Sequence, residues 1–175
     1  MSVTTTNIIV GSGTLSVGEY VTAGGAGSLT DVGATDGGVS ITPNLSVLDI
    51  FVDQQITAIA GAKTKSEYIL KTNLMESTLG LLAMAWGQPA SNVAGGIFYV
   101  GDDMTLPYKQ LSFVGRAAGA PAGLTRTLTC WRAVAYKTGE HSYKKDKETF
   151  IPIEFKLYLD LSVTTRDKIC KWVDA

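Results

Sequence analysis

Cys130, Cys170 and His141 are the side chains best suited to metal binding or nucleophilic chemistry, and the chain holds no other cysteine or histidine. A zinc site needs about four ligands, three of them from protein even when it is catalytic. No C-x-x-C pair occurs, so no such set is in view. Cys130 reads as a small apolar residue on a strand, and Cys170 as a free thiol near the C-terminus. Unpaired thiols fit synthesis in a reducing cytoplasm. His141 stands in a charged loop beside Glu140 and Lys144, where a histidine is ordinarily solvated. Asp102 and Asp103 follow Gly101; adjacent carboxylates repel and read as turn residues. Gly11-x-Gly13 and Gly24-Gly25-x-Gly27 do not lead from a strand into a helix, and no Gly-Lys-Ser/Thr follows, so neither is a phosphate loop. Lys144-Lys145-Asp146-Lys147 reads as a solvated hairpin tip. The expectation is a chain with no catalytic residue, no metal and no cofactor.

Composition agrees. The 175 residues are 45% hydrophobic and 18% charged, with a formal net charge of −1, which excludes a strongly basic nucleic-acid binder. No apolar run approaches the roughly 20 residues of a membrane helix, so no membrane anchor is expected. Met1 to Thr6 lack the basic and apolar regions of a secretory signal. The charges are segregated, however. Residues 1–62 carry five acids and no base, and residues 63–175 carry 11 acids and 15 bases. Such asymmetry can steer copies of one chain head to tail.

The elements that would carry these groups are mostly strands. Residues 1–38 read as an acidic, Gly-rich arm whose short β-prone pieces, such as Thr14-Leu15-Ser16-Val17, bury little alone and order on a neighbour. A β domain is expected over 39–175. Its strands are Val39 to Thr42, Asn44 to Val52, Gln54 to Lys63, Ser66 to Leu74, Gly96 to Val100, Lys109 to Val114 and Leu124 to Tyr136. Phe150 to Asp160 has the cleanest alternation, and Val163 to Val173 is mixed. Between Ser66–Leu74 and Gly96 the period becomes helical. Asn73 with Glu76 forms a capping-box pattern, Leu79, Leu82 and Trp86 share one apolar face, and Gly87 with Pro89 ends the run. A helix of about three turns near 74–86 follows, with Leu79, Leu82 and Trp86 as its anchor. Many strands with one helix argue for a β-sandwich or β-barrel with a flanking helix.

The order of these pieces resembles a known family. Asp31-Val32-Gly33-Ala34-Thr35-Asp36-Gly37-Gly38-Val39 enters the first firm strand. A strand leads into Asn73-Leu74-Met75-Glu76-Ser77-Thr78-Leu79 and ends at Ala85-Trp86-Gly87. A hairpin follows through Phe113-Val114-Gly115-Arg116 and Thr125-Arg126-Thr127-Leu128, then a polar loop and Phe150-Ile151-Pro152-Ile153-Glu154-Phe155. From about Val32 to Leu161 this resembles the tail tube proteins of long-tailed bacteriophages and of related prophage-derived particles. The carrying motifs are hydrophobic pattern, turn glycines and one helix, and the N-terminal arm is longer than the family pattern.

The resemblance implies a β subunit forming hexameric rings that stack into a hollow tube. Double-stranded DNA passes through without specific binding, and other tail proteins attach at the ends. The place implied is the virion tail, after synthesis in the bacterial cytoplasm. Six subunits giving four strands each make a barrel of about 24 strands, spaced about 4.8 Å and tilted about 40°, with a bore of roughly 40 Å. A conduit with few free basic groups would not hold its cargo. The charge segregation places the expected contact between rings at Asp31 and Asp36 against Lys144, Lys145 and Lys147 of the 137–148 loop, sensitive to salt. The rival readings are a capsid decoration or fibre protein, and a carbohydrate-binding β-sandwich with Trp86, Trp131 and Trp172 as platforms.

Overall fold

Ile151–Leu157 shows how this sequence builds its core. Ile151, Ile153, Phe155 and Leu157 are buried, while the alternate residues Pro152, Glu154 and Lys156 are partly exposed, as a half-buried strand requires. The computed structural model describes residues 11–25, 27–53, 55–101, 105–118, 124–141, 143, 145–146 and 148–175. In chain order the strands and helix are β1 (Thr14–Glu19), β2 (Leu29–Asp31), β3 (Thr35–Ile50), β4 (Ala60–Leu74), α1 (Leu79–Ala85), β5 (Val93–Ala94), β6 (Ile97–Phe98), β7 (Lys109–Arg116), β8 (Thr125–Thr138), β9 (Ile151–Leu157) and β10 (Cys170–Asp174). The architecture is mainly β, with one α-helix and one large antiparallel sheet.

The sheet runs β2-β1-β7-β8-β9-β4-β3, with β10 also paired to β8. Its two terminal strands, β2 and β3, are consecutive in the chain and joined only by Val32, Gly33 and Ala34. Six strand spacings of about 4.8 Å would separate them by about 29 Å in a flat sheet. The four-residue step from Asp31 to Thr35 reaches at most about 14 Å. The sheet must therefore curl until its ends approach. Two hydrogen bonds mark that closure: Val32 N–H donates to Leu15 O on β1 at 3.0 Å, and Met75 N–H donates to Ala34 O at 2.9 Å. Gly33 turns the corner at φ +79°, and a Cβ there would collide with the Glu76 carboxylate. Leu15, Val32, Leu70, Leu111, Leu128 and Phe155 fill the interior.

This closure corrects the expected arm. Within residues 1–38, Thr14–Glu19, Leu29–Asp31 and residues 35–38 belong to the sheet: Leu15 and Val17 are core residues, and the 38/39 boundary falls inside β3. The β-prone island from Thr14 to Val17 orders on β7 of its own chain, in register from Thr14↔Val114 to Glu19↔Lys109. Residues 1–10 lie outside the described residues.

The helix is shorter than its sequence pattern. Asn73 and Leu74 are held in β4 between the β3 and β9 ladders, so Asn73 cannot cap. Thr78 does so instead, its hydroxyl accepting from Leu81 N–H at 3.3 Å. The far end stops where Gly87 requires. Gly87, at φ +67°, donates to Met84 O, and Gln88 N–H donates to Ala83 O, the bond pair of a Schellman motif. The buried residues of α1 are Ala83, Met84 and Ala85. Leu79 and Leu82 are half-buried, Leu82 against the core's edge. Trp86 is 49% exposed and meets Phe98 edge-on at 5.9 Å between ring centroids. Trp86 is therefore not the buried anchor of this chain. Trp86→Ala is expected to cost about 1–2 kcal/mol, from half a side chain's burial and one aromatic contact. A loss above about 3 kcal/mol in urea unfolding would contradict this placement.

Candidate self-association surface

Strand length sets the site. β3 and β4 run 16 and 15 residues, about three times a typical strand. β9 pairs β4 only from Tyr68 to Leu74. Beyond that point, among the described residues, β3 and β4 pair only with each other, from Asn44↔Glu67 to Ile50↔Ala60. Seven residues at about 3.4 Å make this a two-stranded ribbon projecting about 24 Å past the core. A register shift beside Ser46 and Val47 leaves Thr64 unpaired in the ladder, and its hydroxyl donates to Ser46 O at 3.2 Å.

Each face of this ribbon exposes apolar side chains of β3 beside charged ones of β4: Lys63 lies across from Val47, and Lys65 and Glu67 across from Ser46 and Asn44. Pairing of Ile41 with Leu70 puts Val39 and Ile41 on the core face, so Leu45 and Val47 continue that row outward. The opposite row is polar at Ser40, Thr42, Asn44 and Ser46, then turns apolar at Leu48 and Ile50. Leu45, Val47, Leu48 and Ile50 are 56%, 60%, 60% and 44% exposed, and Phe51 beside them is 62% exposed. A lone hairpin is at best marginal in water, and an exposed apolar strand with open backbone edges invites pairing. Among the described residues no strand covers the outer edge of β3 or the edge of β4 between Ala60 and Glu67. Pro43 lies on β3, where an edge strand tolerates it. The sequence signal was present in Leu48-Asp49-Ile50-Phe51-Val52 and in the absence of any base before Lys63.

The outer face of β4, β9 and β8 carries two ion-pair clusters, one of which, at Lys65 and Glu67, reaches the base of the ribbon. Glu154 accepts from Lys71 Nζ at 2.9 Å and from the Tyr136 hydroxyl at 2.9 Å, with Lys137 Nζ at 3.6 Å. Glu67 accepts from Lys156 Nζ at 2.6 Å and pairs with Lys65 at 3.1 Å. The hydrogen bond from Lys71 holds the Glu154 carboxyl below its ordinary value of 4.5, and that from Lys156 does the same for Glu67. Depressed carboxyl values give stability that is present above 4.5 and lost as pH falls through the folded values. Glu154→Gln is accordingly expected to flatten the fall in melting temperature between about pH 5 and pH 3. Parallel acid limbs for variant and wild type would contradict the assignment.

The remaining expected contact residues are spread out. Asp31 and Asp36 are exposed on either side of the β2–β3 corner, and Asp31 Oδ1 accepts from Gly33 N–H at 2.9 Å. Lys145 is exposed in a turn; Lys144 and Lys147 lie outside the described residues, as do Asp102 and Asp103. His141 Nε2 lies 3.5 Å from Ser77 Oγ and packs against Tyr143. Of the tryptophans, Trp131 is buried, while Trp172 is half-exposed on an open groove of about 570 Å³ with Phe113, Arg116 and Arg126. Among the described residues no three His, Cys, Asp or Glu side chains are grouped to hold a metal ion, and no helix is long and apolar enough to cross a membrane. Comparison with known proteins finds no matching family model and no matching curated protein.

Proposed function

We propose that this chain is the structural subunit of a bacteriophage-type tail tube, closing into hexameric rings that stack into a hollow conduit for DNA. The observation that carries the reading is the β3–β4 ribbon: 24 Å or so of paired strand with uncovered apolar residues on both faces and open edges. One neighbour on one face would leave the other wet. A ring supplies a neighbour on each side, and a sheet continued from copy to copy removes the free edges.

Apolar contact supplies most of the association in this reading. Full burial of a Val, Leu or Ile side chain is worth about 1.5–3 kcal/mol, against about 0–1 kcal/mol for an exposed ion pair. Asp31, Asp36 and the lysines of the 137–148 loop then steer and orient copies. Other tail proteins bind the tube's ends, and the working place is the virion tail. DNA passes without specific binding, in keeping with a net charge of −1. Sedimentation velocity across a protein dilution series tests the proposal. Hexamers and longer polymers that strengthen in sodium sulfate support it. A single monomeric species at all concentrations contradicts it.

A further inference from the structure

Cys130 and Cys170, far apart in sequence, face each other across β8 and β10. The register pairs them directly, and the backbone bonds identify the kind of pair. Thr125 and Ala175 exchange both of their hydrogen bonds, at 2.7 and 2.9 Å, and Trp131 N–H donates to Ile169 O at 3.3 Å. Counting from those bonds, Cys130↔Cys170 is a non-hydrogen-bonded pair, in which the Cα atoms come to about 4.5 Å. Disulfides span Cα separations of about 4.4–6.8 Å, so this site fits one without moving the backbone.

We propose that Cys130 and Cys170 are a reversible thiol–disulfide pair that staples the C-terminal strand to the sheet, with small disulfides as the reacting class. Neither cysteine is bonded in the reduced structure; Cys130 is buried and Cys170 half-buried. Cys170 is therefore the entry point. Its thiol hydrogen-bonds with that of Cys130, which lowers it to about 7 and raises its buried partner. The Cys170 thiolate attacks the S–S bond of the small disulfide, forming a mixed disulfide and releasing one thiol. Cys130 Sγ then attacks Cys170 Sγ, forming the cross-strand bond and releasing the second. The protein loses two electrons and two protons, and both leave with the two thiols.

The surroundings hold the pair in place for that second step. The Trp131 indole N–H donates to Asp167 O at 2.7 Å, and the Lys171 ammonium lies 4.9 Å from the Trp131 ring centroid. At the other end of β10, Arg126 binds Asp174 with two hydrogen bonds of 2.6 and 2.7 Å. Closing the loop between the two cysteines restricts the unfolded chain, and the staple sits on an edge strand of only five residues. The proposal is independent of what the chain assembles into.

The test is treatment of the full-length protein with excess oxidised glutathione, followed by denaturation, alkylation and intact mass. Wild type is expected to lose both alkylation sites, weigh two hydrogens less, and melt about 5–10 °C higher until dithiothreitol reverses the change. Cys130→Ala is expected to keep a glutathione adduct on Cys170, and Cys170→Ala to leave Cys130 unreacted. A wild-type protein that keeps the adduct, alkylates at both positions, or cross-links between chains overturns the proposal. So does an oxidised form with an unchanged melting temperature.

Discussion

Val47→Asp combined with Leu48→Asp is expected to give a folded monomer that no longer associates. The two residues are neighbours on β3 and point to opposite faces of the ribbon, so the pair places a charge on each proposed interface. Neither is in the core cluster, and surface changes of this kind usually move stability by less than about 0.5 kcal/mol each. Association should suffer far more. Each copy forfeits two apolar contacts of about 1.5–3 kcal/mol and must bury two carboxylates in their place. A loss of about 4 kcal/mol per interface already weakens binding about 1,000-fold. Sedimentation should show monomer where wild type polymerises, with urea unfolding nearly unchanged. A double variant that assembles like wild type would remove the ribbon from the interface.

Phe155→Ala carries the largest expected effect on folding. Phe155 is fully buried at the middle of β9, paired with Leu70 on β4 and with Ala135 on β8. It thus joins both neighbouring strands to the interior of the curled sheet. Truncating such a ring costs about 3–5 kcal/mol in transfer and cavity terms. For a chain of this size that corresponds to a melting temperature lower by roughly 10–15 °C. Equilibrium urea unfolding with an unchanged slope is the check. A loss below about 1 kcal/mol would mean that the interior is not where stability resides.

The mainly β character was legible because it rests on short-range alternation. Residues 151 to 157 in β9 carry that alternation in sequence, and the Thr-, Val- and aromatic-rich run of β8 marks a strand by composition although its burial does not alternate. Gly87 was also readable, since a Schellman end needs a residue at positive φ. What failed was local signal against tertiary pairing. Asn73 and Glu76 have the spacing of a capping box, but Asn73 is claimed by two strand ladders, and Glu76 reaches Ala34 N–H at 3.3 Å. Trp86 has the periodicity of a core residue, yet the helix ends one residue before it. The island from Thr14 to Val17 is too short to fold alone, and its partner β7 lies about 95 residues away in sequence. The ribbon's strands are legible in the sequence, but nothing local says that β9 ends at Leu157, opposite Tyr68, and leaves the ribbon bare. The Cys130–Cys170 pairing depends on a register that no sequence spacing encodes.

Electron microscopy of the purified full-length protein most directly tests whether these subunits form a tube. The expected result is rings that stack into hollow filaments of uniform width, with a bore of roughly 40 Å set by about 24 shared strands. Filaments should be missing from the Val47→Asp, Leu48→Asp protein under the same conditions. Dispersed single subunits, or filaments without a lumen, would contradict it.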